Sequence, residues 1–401
     1  MLNMNGHVTK KGNKYYVVIE LGRDAMGKRQ RRWFGGYDTK KAAQAALVEK
    51  LHDLQTGQFH EETDMTIAEF LQQWLDHKQS QVRPSTLRSY SWHVRHHIIP
   101  YIGHVKISKL TPVMLQKLYT DLQKAPRKDG KPGVVSNRSI LHAHLVLHEA
   151  LDRAVKWGLT PRNVCELVDP PRPRKVDMQV WDIEHVNRFL SVAQEDRYYI
   201  AFVLAIMTGL RKGEILGLRW SDVDFSSKLI TVRQNLSYVH GQFYFLEPKT
   251  AHGRRAVAIS DPIIEALNIH RIRQEEERLK AGPLYRDHGL VVQTEVGTPV
   301  SPRNLDRSWY NLLGKCDVPR IRFHDLRHTH ATLLLKQGVH PKIVSERLGH
   351  ANIGITLDTY SHVLPNLQQS AVDQLSELIS VSKHVKKYIS EHEGQKNGRR
   401  S

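Results

Sequence analysis

Apolar and polar positions follow three regimes along the chain. Up to about residue 60 they read as strands followed by one helix. Lys14 to Glu20 is rich in β-branched and aromatic residues and predicts a strand, Asp24 to Gly27 predicts a turn, and a basic strand runs from Lys28 to Phe34, closed by Gly35 and Gly36. Asp38 or Thr39 is placed to cap a helix in which Ala43, Ala46, Leu47, Lys50, Leu51 and Leu54 recur at helical spacing. A small sheet backed by one helix is the expected module, over residues 1–60.

From Thr63 the period changes and the pattern is helical throughout. Thr66 to Glu69 forms a capping box ahead of an apolar stripe of Ile67, Phe70, Leu71, Trp74 and Leu75. Pro84 opens a second helix through Leu87, Tyr90, Val94 and Ile98. Thr111 and Pro112 start a third, carrying Leu115, Leu118, Tyr119 and Leu122. Ser136 starts a fourth, with Ile140, Ala143, Leu147, Leu151, Ala154 and Val155 inward and Gly158 as its stop. These four helices predict an all-α bundle over 63–170. Pro170 to Lys175 is proline-rich and basic and reads as a stiff linker.

The third regime, 176–382, mixes both periods. Asp182 opens one helix, and Tyr198 to Met207 is an apolar run that ends at Thr208 and Gly209. Strands are expected over Leu229–Val232, Phe243–Leu246 and Ala256–Ile259, within one small antiparallel sheet. Helices are expected near Pro262–Lys280, Pro302–Lys315, Asp325–Gln337, Pro341–Leu348 and Leu367–Ser380. Helices, then a sheet, then helices favours an α+β domain. Residues 383–401 form a polar, basic tail, expected to be mobile.

Composition narrows the partners. Lys and Arg number 59 against 41 Asp and Glu, a net charge of +18 over 401 residues. An anionic polymer is the expected partner. Hydrophobic residues at 40% with 25% charged exclude a wholly disordered chain. The Tyr198–Met207 run falls short of the roughly eighteen apolar residues a membrane span requires, so it predicts a buried core helix. Cys165 and Cys316 are too isolated for a disulfide scaffold or a metal knuckle, and the N-terminal residues show no signal pattern. A reducing cytoplasm is expected. Arg29, Arg31, Arg32, Tyr15 and Trp33 are candidates for one exposed, DNA-contacting face of the first module. The alternative is a solvated basic sheet with its aromatics in the core.

Three stretches concentrate chemistry. In Thr208-Gly209-Leu210-Arg211-Lys212-Gly213-Glu214 an arginine leaves an apolar helix with a carboxylate three residues on, placed to orient its guanidinium. In His324-Asp325-Leu326-Arg327-His328, His324 and Arg327 are spaced to share a helical face. His324 and His328 have the spacing of a zinc helix, but Arg327 between them opposes a cation and no third ligand is evident. The third stretch is Leu348-Gly349-His350, followed by Tyr360; a tyrosine with a pKa near 10 needs an activating site before it attacks. Taken together, two arginines, histidines and a tyrosine on a basic chain suit phosphodiester chemistry, because guanidinium forks grip phosphate oxygens.

In order, Thr-Gly-Leu-Arg-x-x-Glu, Pro-Lys-Thr, His-x-Leu-Arg-His, Leu-Gly-His and Tyr run through Arg211, Lys249, His324, Arg327, His350 and Tyr360. In this the chain resembles the tyrosine recombinase (phage-type integrase) family, over about its last 200 residues. The resemblance implies that Tyr360 attacks the scissile phosphate to give a 3′-phosphotyrosyl link and a free 5′-hydroxyl. Arg211 and Arg327 would clamp the phosphate, and Lys249 would protonate the leaving oxygen. His324 would act as base or phosphate ligand, His350 as a further phosphate donor, and Glu214 as support for Arg211. Neither metal, ATP nor any other cofactor is implied. The helical segment resembles a core-binding clamp domain and 1–60 an arm-binding domain, with 176–382 catalytic. The implied partners are duplex DNA bearing core and arm-type attachment sites, further copies in a tetramer on synapsed DNA, an excisionase and a host DNA-bending protein, at the nucleoid. The expected activity is integration and excision of a mobile element. The alternatives are a cellular recombinase that resolves DNA dimers, a DNA-binding regulator without cleavage, and, more remotely, a zinc hydrolase.

Overall fold

The computed structural model describes residues 6–23, 29–55, 63–174, 178–248, 253–360, 372–373 and 375–376. The chain divides into two compact units, Met1–Lys175 and Val176–Ser401.

In the first unit, β1 (Gly6–Lys11), β2 (Lys14–Arg23) and β3 (Arg29–Tyr37) form an antiparallel sheet in that order. The sequence reading lacked β1, which has Val8 as its one strongly apolar residue. Its signal is the turn: Gly12, at φ +62°, and Asn13 join paired Lys11 and Lys14 as a two-residue hairpin. Helix α1 (Lys40–Gln55) follows, and the Ala42 amide donates to the Thr39 hydroxyl at 3.2 Å, so Thr39 is the cap. Asp38 instead pairs with Lys14.

The expected single face of cations and aromatics is corrected by strand alternation. Val17 and Ile19 pack on Ala43 of α1 together with Tyr15 and Phe34, so Tyr15 belongs to the core side. Arg32 pairs with Ile19 in register and falls on that same side, although it remains exposed. Arg31 and Trp33 project from the opposite face, where Trp33 meets Tyr16 edge-on at 6.2 Å and Arg31 pairs with Glu20 at 2.9 Å. The Arg29 side chain, Lys28 and the Asp24–Gly27 turn lie outside the described residues.

The helical segment holds α2 (Ile67–Lys78), α3 (Pro84–His93), α4 (Ile99–Ile102), α5 (Pro112–Lys124) and α6 (Asn137–Lys156). A π-helical turn over Val94–Ile98 joins α3 to α4, so the predicted second helix runs through an irregular turn at Val94 and Ile98. Each predicted cap forms. Thr66 and Glu69 make the reciprocal box, Thr111 precedes Pro112, Ser136 accepts from the Ser139 amide, and Gly158 sits at φ +72° just past α6. Phe70, Leu71, Trp74, Ile98, Leu118, Leu147 and Leu151 share one core.

The second unit runs through α7 (Ile183–Ala193), α8 (Tyr199–Thr208), α9 (Lys212–Leu216), β4 (Val223–Asp224), β5 (Leu229–Val232), β6 (Asn235–Val239), β7 (Gln242–Leu246), β8 (Arg255–Ala258), α10 (Asp261–Ala281), α11 (Pro302–Leu313), α12 (Asp325–Lys336), α13 (Pro341–Leu348) and α14 (Ile353–Tyr360). Strands β4, β5 and β8 make one antiparallel sheet, while β6 and β7 form a separate hairpin. The single expected sheet is therefore corrected. Phe243–Leu246 pairs with β6, a strand too polar to stand out in sequence. Of Leu367–Ser380, only 372–373 and 375–376 are described, and these are helical; the rest lies outside the described residues. No helix among the described residues is long and apolar enough to cross a membrane.

Packing anchors the start of α12. Trp181, Phe189, Phe202 and Trp309 cluster with Phe323, with Phe189 and Trp309 4.7 Å apart. The two indole N–H groups are satisfied by carbonyls, Trp181 by Pro319 at 2.8 Å and Trp309 by Ile321 at 3.0 Å. Phe323 is thereby held, and the His324–His328 stretch leaves it from a fixed point.

Candidate active site

Two helix ends build the floor of the site. Helix α8 stops at Gly209 and α13 at Gly349, both left-handed, with φ +66° and +67°. A Cβ at Gly209 would also meet His330 and Leu348 atoms at 2.7 Å. Left-handed caps end the helices while leaving terminal carbonyls free, at the negative end of each helix dipole. Arginines take these carbonyls. Arg327 donates through Nη1 to Gly209 O at 2.8 Å and through Nη2 to Leu348 O at 2.6 Å, and Arg211 Nη2 donates to Gly349 O at 3.3 Å. Arg327 is buried, and burial followed by Arg211 presses its pKa down to about 9, which leaves it charged at neutral pH.

One carboxylate sits among these cations. Glu214 accepts from the Arg211 amide at 2.9 Å and from Arg211 Nη1 at 2.8 Å. Arg255 also reaches it twice, at 3.1 and 2.9 Å. Burial alone would raise the Glu214 pKa, but the Arg255 hydrogen bonds, with Arg211 behind them, hold it at about 2. Arg255 Nε donates to Arg347 O at 2.7 Å. Arg347 in turn donates to His330 Nε2 at 3.0 Å and to the carbonyls of Ala258 and Met207 at 2.9 and 3.0 Å. Since Nε2 accepts, the His330 proton sits on Nδ1 and is donated to Ile206 O at 2.8 Å. Two guanidiniums, Arg211 and Arg255, thus bind Glu214, while Arg327 and Arg347 are held on backbone carbonyls, an excess of positive charge suited to an anion.

Tyr360, at the end of α14, is 1% exposed and packs with Ala331, Leu335, Val344 and Leu348. Its hydroxyl lies 2.8 Å from His328 Nδ1. Burial pushes the phenol pKa up to about 12, with Arg327 opposing. His350 Nδ1 is 2.8 Å from the Thr356 hydroxyl, and burial with Arg327 and Arg211 lowers its pKa to about 4. His324 stands at the N-cap of α12 in helical backbone, three residues before Arg327. Its ring stays partly exposed and meets His328 edge-on at 5.4 Å. Crowding by protein, then His328 and Arg327, lowers its pKa to about 4.

Five of the six expected catalytic residues therefore share one electrostatic neighbourhood, with Glu214 beneath Arg211. Lys249 lies outside the described residues, between β7 and β8, which belong to different sheets. Arg31, Arg32 and Trp33 belong to the other unit. Sequence reasoning missed Arg255 and Arg347 and gave His328 no role beyond the weighed metal pairing. Arg255 left one signal, a charge at the first position of an otherwise apolar strand and opposite buried Val232.

Three family descriptions match the chain: the phage integrase family over residues 179–366, the N-terminal SAM-like domain of phage integrases over 66–123, and an arm DNA-binding domain over 7–54. A XerC-like tyrosine recombinase of Caldanaerobacter subterraneus subsp. tengcongensis is 33% identical over 390 residues, covering 92% of this chain and 97% of the relative. The ICEBs1 integrase of Bacillus subtilis is 26% identical over 368 residues, covering 91% and 98%. Among solved structures, the Tn1549 transposon integrase bound to transposon right-end DNA superposes with a TM-score of 0.65 at 22% identity, covering 78% of this chain and all of that one. A lambda integrase dimer on a core site gives 0.55 at 16%, covering 90% and 95%. The chain belongs to the phage integrase family. It is a tyrosine recombinase of the integrase type, an enzyme that cuts and rejoins DNA at specific sites.

Proposed function

We propose that the Arg211–Arg327 cluster holds a scissile phosphate of duplex DNA and that Tyr360 attacks it, giving a 3′-phosphotyrosyl link and a free 5′-hydroxyl. The observation that carries this reading is the arginine cluster with one carboxylate to neutralise it, placed beside a tyrosine hydroxyl. Arg211 and Arg327 keep N–H groups near where charge builds on phosphorus, and fixed donors in a low-dielectric site stabilise that charge without reorganisation. Glu214 orients Arg211. His350, with Nδ1 accepting from Thr356, carries its proton on Nε2 as a phosphate donor. His324 is a phosphate ligand from the outer rim. Lys249 protonates the leaving 5′-oxygen. The phosphotyrosyl bond conserves the energy of the diester, so rejoining consumes no ATP, and guanidinium charge serves where other enzymes use a metal.

The chain integrates and excises a mobile element in this reading, as a tetramer on synapsed DNA in the cytoplasm, with an excisionase and a host bending protein setting direction. Its first module, through Arg31 and Trp33 on the open sheet face, holds arm-type sites while the helical segment clamps the core site. Dimer resolution by a cellular recombinase is the second reading; the arm DNA-binding match over residues 7–54 supports the integrase. The polarity has a direct test. Cleavage in EDTA without ATP should leave 5′ ends that polynucleotide kinase labels with no prior phosphatase treatment, and 3′ ends blocked by protein. Ends carrying a 5′-phosphate would contradict it.

A further inference from the structure

We propose that His328 is the catalytic base that takes the phenolic proton of Tyr360 as the DNA strand is cut. This rests on the reading of Tyr360 as nucleophile. Geometry carries it: Nδ1 of His328 is 2.8 Å from the tyrosine oxygen, within the reach a general base needs. Among the described residues, Tyr360 also packs on the apolar side chains of Ala331, Leu335, Val344 and Leu348, and the Arg327 charge acts on its phenol. His324, the base implied by family resemblance, stands one ring farther out, edge-on to His328. Consecutive positions on α12 divide the work, because Arg327 turns to the helix ends at Gly209 and Leu348 while His328 turns to α14.

The protonation state fits. Burial holds the His328 pKa below its ordinary value, with Arg327 and Arg322 adding to it and Asp325 opposing. His324 from the N-cap, Tyr360 from α14 and His350 from the turn after α13 also face it. A neutral imidazole with Nδ1 bare accepts the phenol's hydrogen bond. Without such an acceptor, a phenol with a pKa near 12 would be ionised in roughly one molecule in 10⁵ at pH 7. In the step, a tyrosine oxygen lone pair forms the O–P bond and the phenolic proton passes to Nδ1, giving imidazolium. The P–O5′ bond breaks, its electron pair leaves on O5′, and that oxygen takes a proton from the acid, Lys249 in the reading above. Rejoining reverses each transfer, and the imidazolium returns its proton to the departing tyrosine.

Single-turnover cleavage of a nicked core-site duplex tests this, with an ordinary phosphodiester and with a 5′-bridging phosphorothiolate whose sulfur leaves without a proton. His328→Gln should slow both substrates by roughly 100-fold or more, the usual contribution of a positioned base. Because the His328 pKa is held below the ordinary histidine value of about 6.5, the wild-type rate should hold through that pH and fall only in more acidic solution, and His328→Gln should lose that limb. Imidazole added to His328→Ala should restore part of the rate, which distinguishes proton transfer from folding. Wild-type cleavage by His328→Gln, or a defect that vanishes with the sulfur leaving group, would overturn the assignment while leaving Tyr360 in place. An adduct formed undiminished by Tyr360→Phe would overturn the nucleophile reading itself, and the role of His328 with it.

Discussion

Arg211 and Arg327 each combine a planar fork with fixed carbonyl partners, and lysine offers neither. Arg211→Lys or Arg327→Lys should raise the cleavage barrier by about 3 kcal/mol, comparable to removing one oxyanion donor, with core-site affinity nearly unchanged. Single-turnover rates beside a binding titration check this; lost affinity with an intact rate would make the arginines positioning contacts. Glu214 supplies a pH signature. Its folded pKa is depressed from 4.5 to about 2, worth roughly 3 kcal/mol. That stabilisation is present above the unfolded value and is lost as pH falls toward 2. The melting-temperature gap between wild type and Glu214→Gln should therefore be wide at pH 6 and narrow steadily below pH 4.5. Residues legible in sequence were those in spaced motifs, such as Arg211 with Glu214 three positions on. Arg255 and Arg347 were not legible, because their meaning lies in contacts spanning 41 and 17 residues, to Glu214 and His330.

At the scale of elements, the site depends on where helices stop. Gly209→Ala places a side chain in left-handed backbone and against His330 and Leu348, while disturbing the carbonyl that Arg327 uses. It should cost about 1–3 kcal/mol in stability and slow cleavage as well. Gly158→Ala also has a positive φ but opens onto free space, so it should lose only about 1 kcal/mol and cleave normally. Melting curves with cleavage rates separate the two, and equal cleavage by both variants would remove the helix-end argument. Elements with caps and long apolar stripes were readable: α2, α5, α6 and α8 all begin or end at a residue that announces it. The unread elements were short or partner-dependent. Helix α9 has five residues, too few for a period; α14 lacks the opening proline that marks α13, a helix of the same eight residues; and β6 exists as a strand through its pairing with β7. The π-helical turn between α3 and α4 is likewise a feature that apolar spacing cannot register.

At the scale of the whole molecule, the account divides labour along the chain. A protein beginning at Thr63 lacks the β1–β3 sheet and α1, whose small core of Val17, Ile19 and Ala43 is its own. It should still cleave a core-site duplex but lose integration between full attachment sites, because two linked binding modules raise each other's effective concentration on one DNA. The full chain should show the steeper salt dependence on arm-containing DNA through its added phosphate contacts. Equal recombination with and without the first 62 residues would remove the arm-binding assignment. The most direct test of the central claim is covalent. Wild-type protein on a nicked suicide duplex should give a denaturant-resistant adduct whose DNA-linked peptide carries Tyr360, and Tyr360→Phe should bind the same duplex and give none. An adduct mapped to another residue, or undiminished in the phenylalanine variant, would contradict the account.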